Sequence, residues 1–150
     1  RSWCDWSSDV CSSDLKMILK IDFESEMPIY EQLRRQIIEG IAKGELKVGE
    51  ELPSVRQLSE DIGINLHTVN KSYNILKDEG YLVIDRRKGA MVRDTMPQTS
   101  DEYFDNLERE LKYIIADSYC RGMGKEEFLS ICENYFNEYI ESGESERDGR

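Results

Sequence analysis

The chain has little of what most enzymes, metal-binding proteins and membrane proteins need. Its 150 residues contain one histidine and four cysteines, and Cys120 and Cys132 are too far apart for a Cys-x-x-Cys metal or redox motif. There is no glycine-rich phosphate loop and no nucleophile beside a base, so we expect no enzyme activity, no metal and no cofactor. No apolar run approaches the roughly 18 residues of a membrane-spanning helix, and no secretory signal is visible. We expect a cytoplasmic protein without a membrane partner, in which both cysteines are buried and reduced.

The first residues differ in composition from the rest. Residues 1–15 hold both tryptophans and two of the four cysteines. Residues 5–15 resemble the conceptual translation of a sequencing adapter joined upstream of a gene. We therefore treat residues 1–16 as a non-native leader without function and expect the native start at Met17. The alternative is a disordered leader, because serine and aspartate are abundant there.

Residues 52–92 have the order helix, tight turn, helix and basic hairpin. Ser54 can cap a first helix that has Leu58 and Ile62 on one face. Gly63 suits the end of that helix, and Asn65 can cap a second helix that runs to about residue 79. This order predicts a winged helix-turn-helix, which places one helix in the major groove of DNA.

The second helix has two different faces. At 100° per residue, Val69, Ser72, Tyr73 and Leu76 form a side that suits a core. The opposite group consists of His67, Asn70, Lys71 and Asn74. These four residues include no acid and can form hydrogen bonds with base edges or contact phosphates. Such a face on an isolated helix usually contacts only solvent. Here the tight turn before it and the basic hairpin after it favour contact with DNA.

The hairpin has three consecutive cations at its tip. Two short strands, residues 81–84 and 90–92, flank a turn with Arg86, Arg87 and Lys88, followed by Gly89. Cations at such a tip can contact the phosphate backbone or enter a minor groove, although a charged turn can also serve solubility alone. Residues 65–93 hold six basic and three acidic side chains, whereas the whole chain carries a formal net charge of −11. This balance favours binding at a defined DNA site over charge-driven binding to any nucleic acid.

Two elements precede the helix-turn-helix. Residues 18–23 alternate, with Leu19, Ile21 and Phe23 on the apolar side, and this pattern predicts a half-buried strand. Pro28 suits the first turn of a helix that ends near Gly44 and packs behind the helix-turn-helix. Its apolar positions repeat every four residues, at Ile29, Leu33, Ile37 and Ile41.

The C-terminal part predicts two further helices after a linker at residues 94–99. Ser100 can cap the first, which ends near Arg121, and the second spans about residues 125–142, followed by a disordered tail at 143–150. A two-helix hairpin over residues 100–142 cannot enclose a core by itself. We therefore expect a second copy to cover its apolar faces in a C2 dimer, with packing onto the protein's own DNA-binding domain as the alternative. The predicted dimerisation residues are Phe104, Leu107, Leu111, Ile114, Phe128, Cys132, Tyr135, Phe136 and Tyr139.

The predicted fold is thus mainly α with a small β-hairpin. A winged helix-turn-helix domain at residues 17–93 precedes a two-helix dimerisation hairpin. Over residues 17–93 the chain closely resembles the N-terminal domain of GntR-family transcriptional regulators. The shared motifs, in order, are PIYEQL at 28–33, the segment from Gly44 to Gly49, LPSVRQLS at 52–59, and Thr68-Val69 followed by Tyr73.

The resemblance implies roles for individual residues. Arg56 of the PSVRQL motif contacts a DNA phosphate, and we include Ser54 of that motif among the DNA contacts. The start of the recognition helix contacts bases and phosphates, and the wing makes a contact at Lys88 and Gly89. The helix residues concerned are His67, Thr68, Asn70 and Lys71. Relatives often have arginine where this chain has Leu66, so we expect one phosphate contact to be missing and operator preference to differ.

The short helical C-terminus resembles the YtrA subfamily, which implies a dimeric regulator, usually a repressor, often of transporter operons. We therefore predict a sequence-specific regulator that binds double-stranded operator DNA as a homodimeric repressor at a palindrome. The alternative is a winged helix that binds another protein. A small-molecule effector is not indicated, although a dimer groove lined by Tyr113, Tyr119 and Tyr135 could admit an apolar ligand.

Overall fold

The computed structural model describes the backbone of residues 19–147 and the side chains of residues 19–143. The interpretation of residues 1–16 therefore lies outside the described residues. The described part contains α1 (Ile29–Ala42), α2 (Val55–Ile62), α3 (Leu66–Asp78), β1 (Leu82–Asp85), β2 (Gly89–Val92), α4 (Asp101–Cys120) and α5 (Lys125–Arg147). The predicted fold class, mainly α with one antiparallel β-hairpin, is confirmed. The chain divides into two compact units between Pro97 and Gln98, inside the stretch predicted as a linker.

Helix α3 is the centre of the first unit, where it packs against α1, α2 and β1. Its side chains Val69, Tyr73 and Leu76 are at most 1% exposed, as the predicted core face requires. Removing such apolar surface from water is the main favourable contribution to folding. The other buried hydrophobic residues of this core are Leu19, Ile21, Leu33, Ile37, Leu46, Leu52, Leu58, Ile62, Leu82, Ala90 and Val92.

The predicted strand at residues 18–23 does not form within the described residues, which begin at Leu19. Leu19 and Ile21 are buried as the alternation predicts, but Phe23 is 50% exposed. The described sheet consists of β1 and β2, and this segment pairs with neither strand. The alternation therefore located two of the three predicted buried side chains correctly, whereas Phe23 and the type of element were predicted wrongly.

Two glutamines of α1 take the place of the missing strand partner. The Gln36 side chain accepts a hydrogen bond from the N–H of Lys20 at 2.7 Å and donates one to the carbonyl of the same residue at 2.6 Å. Gln32 does the same with Asp22, at 2.9 Å in both directions, and donates a further bond to the Met27 carbonyl at 2.8 Å. A primary amide offers the same donor and acceptor as a peptide group. Gln32 and Gln36, one turn apart on α1, therefore hold Asp22 and Lys20 of the extended segment that precedes the helix.

The predicted helix-turn-helix is confirmed, with its caps. The Ser54 hydroxyl accepts a hydrogen bond from the N–H of Gln57 at 3.1 Å at the start of α2. Gly63 ends α2 with φ 75°, a left-handed conformation that costs glycine little. Asn65 begins α3 by accepting a bond from the N–H of His67 at 2.8 Å. A short polar side chain at each helix start thus satisfies a backbone donor that has no partner within the helix.

The wing is broader than the predicted hairpin. β1 and β2 pair in register from Leu82↔Val92 to Asp85↔Gly89. The stretch before α2 adds a third partner to this ribbon, because Leu52 donates to the Ala90 carbonyl at 2.8 Å and Val92 donates to the Glu50 carbonyl at 2.9 Å. The sequence analysis predicted no strand partner there. The base of the wing is therefore tied directly to the start of α2.

The second unit contains the two helices that the sequence predicts, but they do not pack side by side. Ser100 caps α4 by accepting from the N–H of Tyr103 at 3.1 Å. No α4 residue is buried, and within the described residues α4 and α5 hardly contact each other. The Gly122-Met123-Gly124 break separates the helices without folding one onto the other. In the described residues α4 and α5 therefore do not pack side by side as a hairpin. The apolar face of each helix is not covered by the other helix.

Two smaller predictions about this unit are wrong. Cys120 is exposed and Cys132 is half-buried, because the helix faces on which they lie have no cover within the unit. Helix α5 continues past Ser142 to Arg147, so the helix does not give way to a disordered tail at 143–147. Residues 148–150 lie outside the described residues. In the part of the chain that is described, no helix combines the length and the apolar character needed to cross a bilayer.

Replacing Gln32 with methionine is expected to lower the free energy of unfolding by about 3 kcal/mol, since three hydrogen bonds are lost at roughly 1 kcal/mol each. Methionine keeps the length of the side chain, and Gln32 is only 7% exposed. The matched variant Gln36→Met is expected to cost less than about 1 kcal/mol, because water can reach its partners. Urea denaturation of both variants measures the difference; equal losses would contradict this account of the N-terminal segment.

Candidate nucleic-acid interface

The polar face predicted on the second helix is exposed along α3. His67, Asn70, Lys71 and Asn74 are all exposed, and Thr68 is half-buried at the start of the helix. The first turn of α3 contains no acid, so nothing there repels a phosphate. Burial of the opposite face directs these side chains outward together, and a single helix therefore presents amide, imidazole and ammonium groups as one surface.

Tyr73 fixes α3 against the start of α2. It is 1% exposed, and its hydroxyl donates a hydrogen bond to the Pro53 carbonyl at 2.8 Å. Burial raises the pKa of Tyr73 well above the ordinary tyrosine value, because the phenolate would lose its hydration. Pro53 directly precedes the Ser54 cap, so one buried bond sets the position of both helices of the helix-turn-helix.

Lys71 differs from its neighbours on the polar face because its ammonium has an aromatic partner. The Lys71 Nζ lies 3.8 Å from the ring centroid of Tyr30 in the first turn of α1, well within the range of a cation–π interaction. This contact was not predicted from the sequence, since it depends on how α1 packs on α3. Tyr30 therefore joins the interface as a residue that the sequence prediction missed.

Arg56 lies on the exposed surface of α2 with an acid beside it. Its side chain is 82% exposed, and its Nε lies 3.5 Å from a carboxylate oxygen of Glu60, which is 64% exposed. Pairs as exposed as this contribute little to stability, so a phosphate can replace Glu60 as the partner of Arg56. The four-residue spacing between Arg56 and Glu60 could have revealed this pair in the sequence.

Ser54, at the start of α2, is also exposed. Its oxygen caps α2, but its hydroxyl hydrogen can still donate a hydrogen bond.

The tip of the wing is organised by Asp85. One of its carboxylate oxygens accepts hydrogen bonds from the N–H of Arg87 at 2.6 Å and of Lys88 at 3.0 Å. These two backbone bonds hold the pKa of the Asp85 carboxyl below its ordinary value. Gly89 completes the turn with φ 80°, where a side chain would be strained. Arg86 is exposed with the other two cations, so the turn presents three positive charges around one structural acid.

The predicted site residues form three exposed groups within the first unit: the α3 face, the start of α2 and the tip of the wing. The chemistry of this interface is that of hydrogen bonding and positive charge. Among the described residues no group of three or more histidine, cysteine or acidic side chains could hold a metal ion.

The role of Asp85 in the turn could have been predicted from the sequence. An aspartate two or three residues before the backbone N–H groups of a turn commonly accepts hydrogen bonds from them.

Comparison with known proteins identifies the family to which the first unit is similar. Residues 29–92 match the family described as bacterial regulatory proteins, gntR family. The chain is 36% identical over 107 residues to the HTH-type transcriptional repressor YtrA of Bacillus subtilis (strain 168), covering 71% of this chain and 82% of that protein.

Two solved structures are similar to the chain. The structure of YtrA from Sulfolobus acidocaldarius, a GntR-family transcription factor, is 44% identical with a TM-score of 0.55, covering 67% of this chain and 98% of that one. A transcriptional antiterminator from Listeria monocytogenes EGD-e is 29% identical with a TM-score of 0.74, covering 82% and 92% of the respective chains.

The raised pKa of Tyr73 predicts a loss of stability at alkaline pH. The unfolded chain ionises this tyrosine near its ordinary value of 10.0, whereas the folded protein keeps it protonated. The stability from this group is therefore complete below about pH 10 and falls as pH rises further. Tyr73→Phe is expected to be less stable by about 1 kcal/mol at neutral pH, with a flatter decline above about pH 10.

Urea denaturation at a series of pH values measures this difference. Tyr113→Phe serves as the matched control, since Tyr113 is 70% exposed. Parallel declines of the wild type and Tyr73→Phe would contradict the assignment.

Proposed function

This chain belongs to the GntR family of bacterial transcriptional regulators, which bind DNA, and from that premise we propose that it is a dimeric repressor acting at a palindromic operator. The observation that carries the proposal is the exposed polar face of α3, which has no acid in its first turn and is backed by a fully buried core face. A helix of this kind suits the major groove, where base edges offer donors and acceptors in a pattern that differs for each base pair.

We assign the side chains different tasks according to their chemistry. Asn70 and Asn74 carry amides that suit the paired acceptor and donor of an adenine edge, and His67 can bond to either kind of edge atom. Thr68, Ser54 and Arg56 lie where α2 and α3 begin, and we assign them to the phosphate backbone. We expect Leu66, which is 44% exposed, to provide no charge where relatives have arginine.

We assign the three cations at the tip of the wing to the DNA backbone or an adjacent minor groove. Arg86, Arg87 and Lys88 are exposed, and the turn held by Asp85 and Gly89 orients their backbone. A winged helix that binds another protein would have no need of this concentration of charge. The wing therefore favours DNA as the partner.

The second unit supports a dimer because its apolar faces lack cover. Along α4 an open groove of about 720 Å³ is lined mainly by apolar side chains, and large hydrophobic residues of α5 are exposed as well, Phe136 at 69%. Neither helix covers the other, so a second copy is the economical partner, and C2 symmetry makes one surface complementary to itself. The predicted dimerisation residues of α4 and α5 are exposed or half-buried in the single chain.

Dimerisation would also explain a palindromic operator. Two recognition helices related by a twofold axis contact half-sites separated by roughly 34 Å or a multiple of it. The second unit, residues 98–150, holds 14 acidic and 6 basic side chains, so it is unsuited to contact DNA itself. We extend the proposal to the control of transporter genes because the short helical C-terminus resembles that of the YtrA subfamily. The exposed Tyr113, Tyr119 and Tyr135 give no specific indication of an effector.

Base recognition by the two asparagines can be tested by substitution. After selection of bound genomic fragments and footprinting have defined an operator, Asn70→Ala and Asn74→Ala are each expected to weaken operator binding by about 1–3 kcal/mol. Affinity for random duplex DNA is expected to change little, because phosphate contacts remain. Asn134→Ala on α5 is the matched control. Unchanged preference for the operator in both α3 variants would contradict the assignment, provided their thermal melts match that of the wild type.

The dimer can be tested separately from DNA binding. Leu111→Glu places a charge on the apolar face of α4 and is expected to convert the protein to a monomer, because an unpaired charge buried in an interface is costly. Asn106→Asp adds the same charge away from that face and is expected to leave the dimer intact. Light scattering at micromolar concentration measures both; a monomeric wild type would contradict the proposal.

A further inference from the structure

The partner of Lys71 sets it apart from the other cations near α1. Arg34 pairs with Glu79 at 2.6 Å and with Glu31 at 3.1 Å, and Arg35 pairs with Glu31 at 2.9 Å. Lys71 has no acidic partner among the described residues, and its ammonium lies over the ring of Tyr30 instead. One exposed cation of α3 is therefore held in place without being neutralised.

We propose that Tyr30 is a positioning residue of the DNA-binding surface, which holds the Lys71 ammonium beside the first turn of α1 so that Lys71 contacts a phosphate and not a base. This inference rests on the DNA interface proposed above. It divides the polar face of α3 between two kinds of contact, with Asn70 and Asn74 directed at bases and Lys71 directed at the backbone.

The Tyr30 ring is suited to position the Lys71 ammonium because the ring carries no net charge. A carboxylate partner would cancel the charge of Lys71 and would have to be displaced by the phosphate, as Glu60 must be displaced from Arg56. An aromatic face attracts the ammonium through its quadrupole and leaves the full positive charge to the DNA. Lysine also loses much rotamer freedom when it is fixed, so a side chain that is ordered before binding has less freedom left to lose.

The position of the ring is determined by the fold. Tyr30 lies in the first turn of α1 and is half-buried, and α1 packs directly on α3. A lysine free of Tyr30 could reach the guanine edge, a frequent base contact for this residue. Held on the ring, its ammonium is drawn toward α1 and away from the neighbouring asparagines. The consequence is a recognition helix that distinguishes bases through amides, with Lys71 adding affinity to every sequence alike.

A double-mutant cycle tests the proposal with the full-length chain. Tyr30→Leu, Lys71→Gln and the double variant are titrated with the selected operator and with a random duplex at several salt concentrations. Tyr30→Leu is expected to weaken both complexes by about two- to fivefold, the strength of an exposed cation–π contact. Lys71→Gln is expected to weaken both more strongly and to reduce the salt slope by about one. The double variant is expected to bind like Lys71→Gln alone, because Tyr30 acts only through Lys71.

Tyr30→Phe is the matched control and is expected to bind like the wild type, because the ring remains. Equal losses in Tyr30→Phe and Tyr30→Leu would overturn the inference, since they would assign the effect to the hydroxyl. The inference would also be overturned if the double variant lost affinity by the product of the two single losses, because Tyr30 and Lys71 would then act independently. A change in base preference at one operator position in Tyr30→Leu would overturn it too.

The contact itself can be measured without DNA. In the free protein the side-chain methylene protons of Lys71 are expected to show an upfield ring-current shift in NMR spectra, which Tyr30→Leu removes and Tyr30→Phe keeps. Tyr30→Met provides a second variant without a ring if Tyr30→Leu does not fold. Absence of the shift in the wild type would overturn this inference while leaving the proposed operator binding intact. Equal affinity of the wild type for operator and random DNA would instead overturn the proposed function.

Discussion

The burial of one face of α3 is the constraint on which the rest of the first unit depends. Val69, Tyr73 and Leu76 are enclosed by α1, α2 and β1, and a helix that buries one side must present the other. The hydrogen bond from Tyr73 to the Pro53 carbonyl then ties α3 to the start of α2. Because the same stretch before α2 also pairs with β2, the recognition helix and the wing share one rigid base.

Charge is distributed so that attraction to DNA is local. The chain as a whole is strongly acidic, and many cations of α1 and α2 are paired with acids, such as Arg34 with Glu79. On α3, by contrast, Lys71 is held by an uncharged ring, and beside the wing cations Asp85 uses its carboxylate to accept from backbone N–H groups. Repulsion from the remainder of the molecule disfavours loose association with DNA, so binding depends on the geometry of a few positive groups.

The two units are stabilised in different ways. The first buries a continuous core of its own, whereas α4 buries no residue and α5 offers it little contact. Helix caps and acids in the first turn of α4, Asp101 and Glu102, stabilise that helix locally. Such local stabilisation is small compared with that gained by burying apolar faces, and this difference is the physical basis of the proposed dimer.

The sequence alone determined the features that depend on neighbouring residues. The caps Ser54, Asn65 and Ser100 and the two faces of α3 follow from chemistry within one or two helical turns, and the order of elements follows from them. Tertiary structure decided what depends on distant residues. It replaced the predicted strand at residues 18–23 with a segment held by Gln32 and Gln36, and it added residues 50–52 to the wing. It also brought Tyr30 to Lys71 and left α4 and α5 unpacked. Periodicity shows which side of an element is buried, but the partner that buries it is chosen by packing in three dimensions.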